Sequence, residues 1–134
     1  MTHDDARAAL RRCVDGIEGG YEYLLAYAAQ GVATDEGHPN SEQLRTYLQR
    51  MDEGMAGLES ALSDVIGSGD DAVAFAPMLV VLQRDVMAAR SALGLVRSRR
   101  GISSQLVDNF NASTHVRSLL TDLFLLDEAV KSLG

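Results

Sequence analysis

The stretch LRTYLQRMDEGMAGLESALSDV, residues 44–65, decides the fold. Its apolar side chains recur at alternating spacings of four and three residues: Leu44, Leu48, Met51, Met55, Leu58, Leu62 and Val65. A repeat of about 3.5 residues forms one seam along a helix that packs nearly parallel to its neighbours in a left-handed bundle. We therefore expect a long core helix here.

Three further segments of the chain carry the same repeat. Their seams run from Leu10 to Ala28, from Phe75 to Val96 and from Val116 to Leu133. The segments are separated by GVATDEGHPN, by GSGDD, and by a link in which Gly101 is predicted as a left-handed helix cap and Ser103 or Ser104 as the next N-cap. Short links make neighbouring helices antiparallel. The sequence thus predicts an all-α, antiparallel, up-down-up-down four-helix bundle, a single domain over residues 1–134.

Composition bounds the partners and the compartment. The 134 residues include 19 acidic and 12 basic side chains, a net charge of −7, which opposes binding to nucleic acid or to anionic membranes. The lone cysteine, Cys13, and the absence of a leader pattern favour a cytoplasmic protein. The apolar run AVAFAPMLVVL, residues 72–82, is shorter than the ~20 residues that span a bilayer, so we expect a buried helix segment and no membrane contact.

Glycines and tyrosines crowd the first helix in GIEGGYEYLLAYAAQG, residues 16–31. Gly16, Gly20, Tyr23 and Tyr27 share a stripe beside the core seam, and Tyr21 lies on the seam. Three interpretations are open. The glycines accommodate ordinary packing, a second copy packs across them in a two-fold homodimer, or the tyrosine hydroxyls orient a small ligand.

Poor helix formers interrupt the last segment at NFNASTH, residues 109–115. Extending the flanking apolar stripes into this run puts Asn109 at the seam, with Ser113 one turn away. A polar seam residue commonly fixes helix register. The functional alternative is a polar mid-bundle pocket lined by Asn109, Ser113 and the tyrosines at positions 21, 23 and 27.

The sequence lacks the metal-binding and haem-binding motifs that helical bundles commonly carry. A Glu-x-x-His pair for a di-metal site is missing, as is the Cys-x-x-Cys-His motif for covalent haem. Asp35, Glu36 and His38 in the first loop are interpreted as a solvated turn, so neither a metal nor a cofactor is predicted. A weaker candidate site is the basic cluster of Arg97, Arg99 and Arg100, which would dock an anion or a protein partner, although the helix dipole also favours cations there.

The sequence therefore favours a non-catalytic, adaptor-like binding or regulatory protein that acts as a homo-oligomer. We expect the oligomer to be a homodimer, and a further protein partner is possible. The alternative is a small-ligand-binding bundle or an unconventional enzyme that uses the polar pocket near the first-helix tyrosines and Asn109.

Overall fold

The computed structural model describes residues 2–133, and over that range all of the regular secondary structure is helical, as the predicted all-α class requires. The sequence pattern predicts four helices, whereas the structure has five. They are α1 (His3–Ala29), α2 (Ser41–Ile66), α3 (Asp70–Arg97), α4 (Ser104–Ala112) and α5 (Thr114–Val130).

A break at Ser113 divides the last segment into two helices. Ser113 has an extended backbone with a ψ of 150°, and its N–H donates to the carbonyl of Phe110 at the end of α4. Its hydroxyl accepts from the N–H of Val116 at 3.4 Å and so caps the start of α5. The poor helix formers around this serine are therefore used as a boundary, and the apolar phase of α5 does not continue into α4.

Cross-helix contacts show that consecutive long helices run antiparallel. Between α2 and α3, Asp52 pairs with Arg90 at 2.9 Å. Two turns further along α2, Glu59 accepts a hydrogen bond from Gln83 at 3.4 Å. Residue numbers thus rise along α2 while they fall along α3. Helix α1 packs on α2 and α4, and α3 packs on α2 and α5.

The seam of α2 is buried as predicted, because all seven of its apolar positions lie in the core. The seam of α3 is less complete. Leu82, Ala89, Leu93 and Val96 are buried there, while the other three seam residues are only half-buried: Phe75, Leu79 and Val86.

Glycines allow α1 and α2 to approach closely. A Cβ on Gly54 of α2 would lie 2.7 Å from the carbonyl oxygen of Cys13 on α1. A Cβ on Gly16 would lie 2.9 Å from the carbonyl oxygen of Arg50, and one on Gly20 would lie 3.0 Å from Cβ of Met51. Any other residue at Gly54 or Gly16 would push the two helix backbones apart, since real Cβ atoms do not come this near a carbonyl.

A buried carboxylate anchors the first loop, which corrects the prediction of a solvated turn at Asp35. This side chain is 1% exposed and accepts from Arg45 twice, at 3.1 and 3.2 Å, from the Ser41 hydroxyl at 2.7 Å, and from the N–H of Ile102 at 2.8 Å. Burial alone would raise the pKa of Asp35, but these hydrogen bonds and the Arg45 charge outweigh it and lower the pKa to about 2.

The same Arg45 joins the first loop to the end of α3. Its guanidinium donates to three backbone carbonyls there, those of Arg97, Arg99 and Arg100, at 2.9 to 3.2 Å. Gly101 follows but has no positive φ, so the predicted left-handed cap is wrong. Its lack of a side chain serves close contact instead, because a Cβ would collide with the hydroxyl of Thr34. The Asp35–Arg45 pair therefore clamps two links together at one end of the molecule.

Candidate functional site

Tyr27 has a structural role. It lies at the clamped end of the molecule and is 1% exposed. Its hydroxyl donates to the carbonyl of Ile102 at 2.7 Å, and its own carbonyl accepts from the Ser104 hydroxyl at 2.6 Å. Burial and the nearby Asp35 charge raise the pKa of the Tyr27 phenol. Both hydrogen-bonding groups of this tyrosine are thus occupied within the chain.

Tyr23 and Tyr21 point to different neighbours. The Tyr23 ring stacks on Tyr47 of α2, with centroids 4.2 Å apart and planes 8° from parallel. Arg50 lies over the other side of this pair, its guanidinium carbon 6.0 Å from the Tyr47 centroid. Tyr21 is half-buried, and its carbonyl accepts from the Asn111 side chain at 3.1 Å.

Asn109 is exposed, so its predicted seam position is wrong. Its side-chain oxygen accepts from Gln105 at 3.0 Å on the outer side of α4. Asn111 is buried in its place, with its Oδ1 atom unpartnered. The stripe extended backward from Val116 crosses the break at Ser113 and loses its phase, and the stripe extended forward from Ile102 starts before α4, which begins at Ser104. The structure does not gather Asn109, Ser113 and the tyrosines around one cavity.

The glycine stripe lines an open groove on the outer side of the α1–α2 pair. The groove measures about 680 Å³, and its floor includes Gly16, Gly19 and Gly20 of α1 and Gly54 and Gly57 of α2. Charged side chains rim it on both helices: Arg12, Asp15, Arg50, Glu53 and Asp64. Burial raises the pKa of the adjacent Cys13 thiol.

Two aspartates, Asp85 of α3 and Asp122 of α5, line one cleft, and the sequence pattern did not predict this pair. Asp122 is 6% exposed, and its Oδ2 atom has no hydrogen-bond partner among residues 2–133. Together with Asp85 it lines a cleft of about 380 Å³, which Thr114, Arg117, Ser118 and Thr121 also line. Burial, together with the neighbouring Asp85 carboxyl, raises the pKa of Asp122 to about 7. The Asp122 carboxyl is therefore harder to ionise than an exposed aspartate.

The outward side of α3 is a bare apolar surface, which corrects the expectation that residues 72–82 are buried. Of that run only Leu82 is fully buried. The exposed fraction is 75% at Val73, 67% at Met87 and 60% at Leu95, and Val80 and Val81 are 49% and 40% exposed. We call Val73, Pro77, Val80, Arg84, Met87, Ser91 and Leu95 the α3 outer face; Arg84 is its one charged member.

The sequence did carry a signal for this surface. Val73, Val80 and Met87 repeat every seven residues on the side of the helix opposite the predicted seam. A helix that is apolar on both sides has more hydrophobic surface than one core can cover. By length and composition alone α3 could also cross a membrane, with a mean hydropathy of 1.5 over 18 residues of which 11% are buried, although core helices of soluble proteins pass the same test.

The basic cluster at the end of α3 is divided by its contacts. Arg97 lies 3.5 Å from Asp52, which also holds Arg90. Arg99 and Arg100 are exposed beyond the helix end. Two of the three predicted docking arginines therefore face solvent, and the third takes part in an ion pair.

Within residues 2–133, His, Cys, Asp and Glu side chains form no group of three or more that could hold a metal ion. Comparison of the chain with protein-family models, with curated proteins and with solved structures finds no match.

Proposed function

We propose that this chain is a non-catalytic binding or regulatory module that works by self-association, and that its α3 outer face is the contact surface. The bare apolar side of α3 carries the proposal. The largest apolar patch on a soluble protein is often functional, and such patches mark surfaces that another molecule covers.

We further propose that the five helices form an antiparallel four-helix bundle whose fourth helix is broken, so that α4 and α5 together fill one bundle position. The packing of α4 on α1 and of α5 on α3 supports this proposal. Each helix of such a bundle needs only one buried side. The second apolar side of α3 is then surplus to the core and available to a partner.

Charge argues against nucleic acid or a lipid bilayer as the occupant. The net charge of −7 repels polyanions and anionic lipid surfaces. Arg84 and Asp85 sit midway along α3, and a charged group at mid-membrane is costly. Asp85 lines the cleft between α3 and α5, and Arg84 can keep contact with trapped water between two protein surfaces, which favours a protein contact over a bilayer.

Sedimentation velocity tests the proposal over a concentration range of about 5 to 500 µM, together with non-denaturing mass spectrometry. We expect a reversible dimer without added mass. Val80→Glu should abolish it, while the matched control Leu25→Glu on α1, where the side chain is equally exposed at 49%, should leave it intact. A monomer throughout this range, or equal loss of the dimer in both variants, would refute the proposal.

The α1–α2 groove supports a second candidate, a small-ligand-binding bundle, because about 680 Å³ is within the range of ligand pockets. The same mass spectrum distinguishes it. A bound ligand would appear as added mass that is lost on denaturation, and Gly19→Leu, which fills the groove, would remove that mass without changing the assembly.

A further inference from the structure

We propose that α3 of one copy packs antiparallel against α3 of a second copy, about a two-fold axis level with Arg84. This inference rests on the proposed self-association and adds its geometry. It commits the α3 outer face to one occupant, the same face of an identical chain.

The pattern of the face is close to symmetric about residue 84. In an antiparallel pair centred there, each residue lies opposite the one equally far on the other side of 84. Val73 then meets Leu95 of the second copy, Pro77 meets Ser91, and Val80 meets Ala88 with Met87 beside it. The two most exposed ends of the stripe are therefore both covered by apolar side chains, and small residues lie opposite larger ones.

The charges at the two ends of α3 are complementary in this arrangement. Asp70 and Asp71 lie in the first turn, and Arg99 and Arg100 follow the last turn, all four exposed. Antiparallel pairing sets the acidic start of each helix beside the basic end of the other, and the two helix dipoles also oppose each other favourably. Parallel pairing would instead set acid beside acid and base beside base.

The size of the face indicates how strong the pair is. From Val73 to Leu95 the stripe is about 33 Å long, and a helix side about 10 to 12 Å wide gives roughly 330 to 400 Å² per copy. A total near ~800 Å² is typical of weak, reversible contacts.

The effect of an Arg84 substitution on the Kd of the dimer distinguishes this arrangement from other contacts. Near the axis each Arg84 faces its own copy, and like charges opposite one another weaken the contact. Replacing Arg84 with leucine should therefore tighten the dimer by about 3-fold to 10-fold in Kd. A partner that used Arg84 to bind an acidic group would respond in the opposite direction.

Cysteine cross-linking tests the geometry in the full-length chain. In a Cys13→Ala background, the Val73→Cys and Leu95→Cys variants are treated separately and as a mixture with a bismaleimide of about 8 Å span. In the antiparallel pair, two copies of residue 73 lie about 33 Å apart, so each variant alone should stay uncross-linked while the mixture gives a covalent dimer. Circular dichroism of each variant is the control for retained helical structure.

The outcomes separate this inference from the proposed function. Cross-linking of Val73→Cys with itself would mean parallel pairing and overturn the inference while self-association stands. A dimer that none of the three samples cross-links, or an Arg84→Leu dimer that is weaker than the wild type, would also overturn it. A monomer at all concentrations would refute both.

Discussion

Gly54→Ala is the sharpest test of the α1–α2 packing. Alanine is normally the better helix residue by about 1 kcal/mol, so at an open position the exchange stabilises a protein. At Gly54 the new methyl group would lie 2.7 Å from the Cys13 carbonyl oxygen and 3.1 Å from Cγ1 of Ile17. Relief requires α2 to move away from α1 by roughly half an ångström along a fully packed interface.

Overpacking of this kind costs about 1 to 3 kcal/mol, and the clash here is with backbone, which cannot rotate away. After the helix gain of about 1 kcal/mol is subtracted, we expect Gly54→Ala to lower the free energy of unfolding by up to about 2 kcal/mol. Gly19 is the matched control, since a Cβ there meets nothing within 4 Å. Gly19→Ala should raise the free energy of unfolding by up to about 1 kcal/mol.

Urea unfolding followed by far-UV circular dichroism measures both variants, at a protein concentration below that of dimerisation. The slope of free energy against urea should stay that of the wild type, because the surface exposed on unfolding is unchanged. The reasoning is refuted if Gly54→Ala is as stable as Gly19→Ala. That result would mean that the two helices are not held as closely as the described distances require.

Three other substitutions test the polar groups. The folded pKa of Asp122 is about 7, so ionisation of this carboxyl should cost the wild type up to about 4 kcal/mol of stability as the pH rises from about 4 to about 7. In urea titrations Asp122→Asn should abolish this loss, whereas the exposed control Asp108→Asn should retain it. Asp35, with a pKa near 2, stabilises the fold above about pH 4 and less as the pH falls toward 2. Asp35→Asn should cost about 2 to 4 kcal/mol at neutral pH, and an unchanged urea midpoint would contradict the clamp. Tyr27→Phe strands the Ile102 carbonyl and should cost about 1 to 2 kcal/mol by the same assay; no loss would mean that the hydroxyl bond is not formed.

The seam of α2 was predictable because its seven apolar residues keep one period without interruption. Full burial also depends on the neighbouring helices, since the same period in α3 leaves three seam residues half-buried. The break at Ser113 was not. The same polar run is compatible with a weak continuous helix or with a cap, and the choice depends on tertiary packing of α4 on α1. The stripe from Val116 crosses this break and the stripe from Ile102 begins before α4, so both selected Asn109, whereas Asn111 is the buried asparagine.

The contacts at the clamped end lay beyond sequence reasoning for a different reason. Asp35 and Arg45 are close in sequence, but the groups that make the carboxylate tolerable in the core include the N–H of Ile102, 67 residues away. Nothing in the local composition distinguishes such an aspartate from a solvated one. The bare side of α3 was within reach, because its second heptad stripe is visible in the sequence and conflicts with a single core.

The clamp makes the two ends of the molecule unequal, and amide hydrogen exchange would reveal the difference. At the tied end, Asp35, Arg45 and Tyr27 join two links, so backbone amides there should open only when the whole chain unfolds. At the opposite end, α3 follows the glycine turn 67–69 and reaches its first fully buried residue only at Leu82, so its first three turns should exchange by local fraying. In an antiparallel dimer each fraying segment rests on the tied end of its partner, so that association would merge two uneven chains into one cooperative unit.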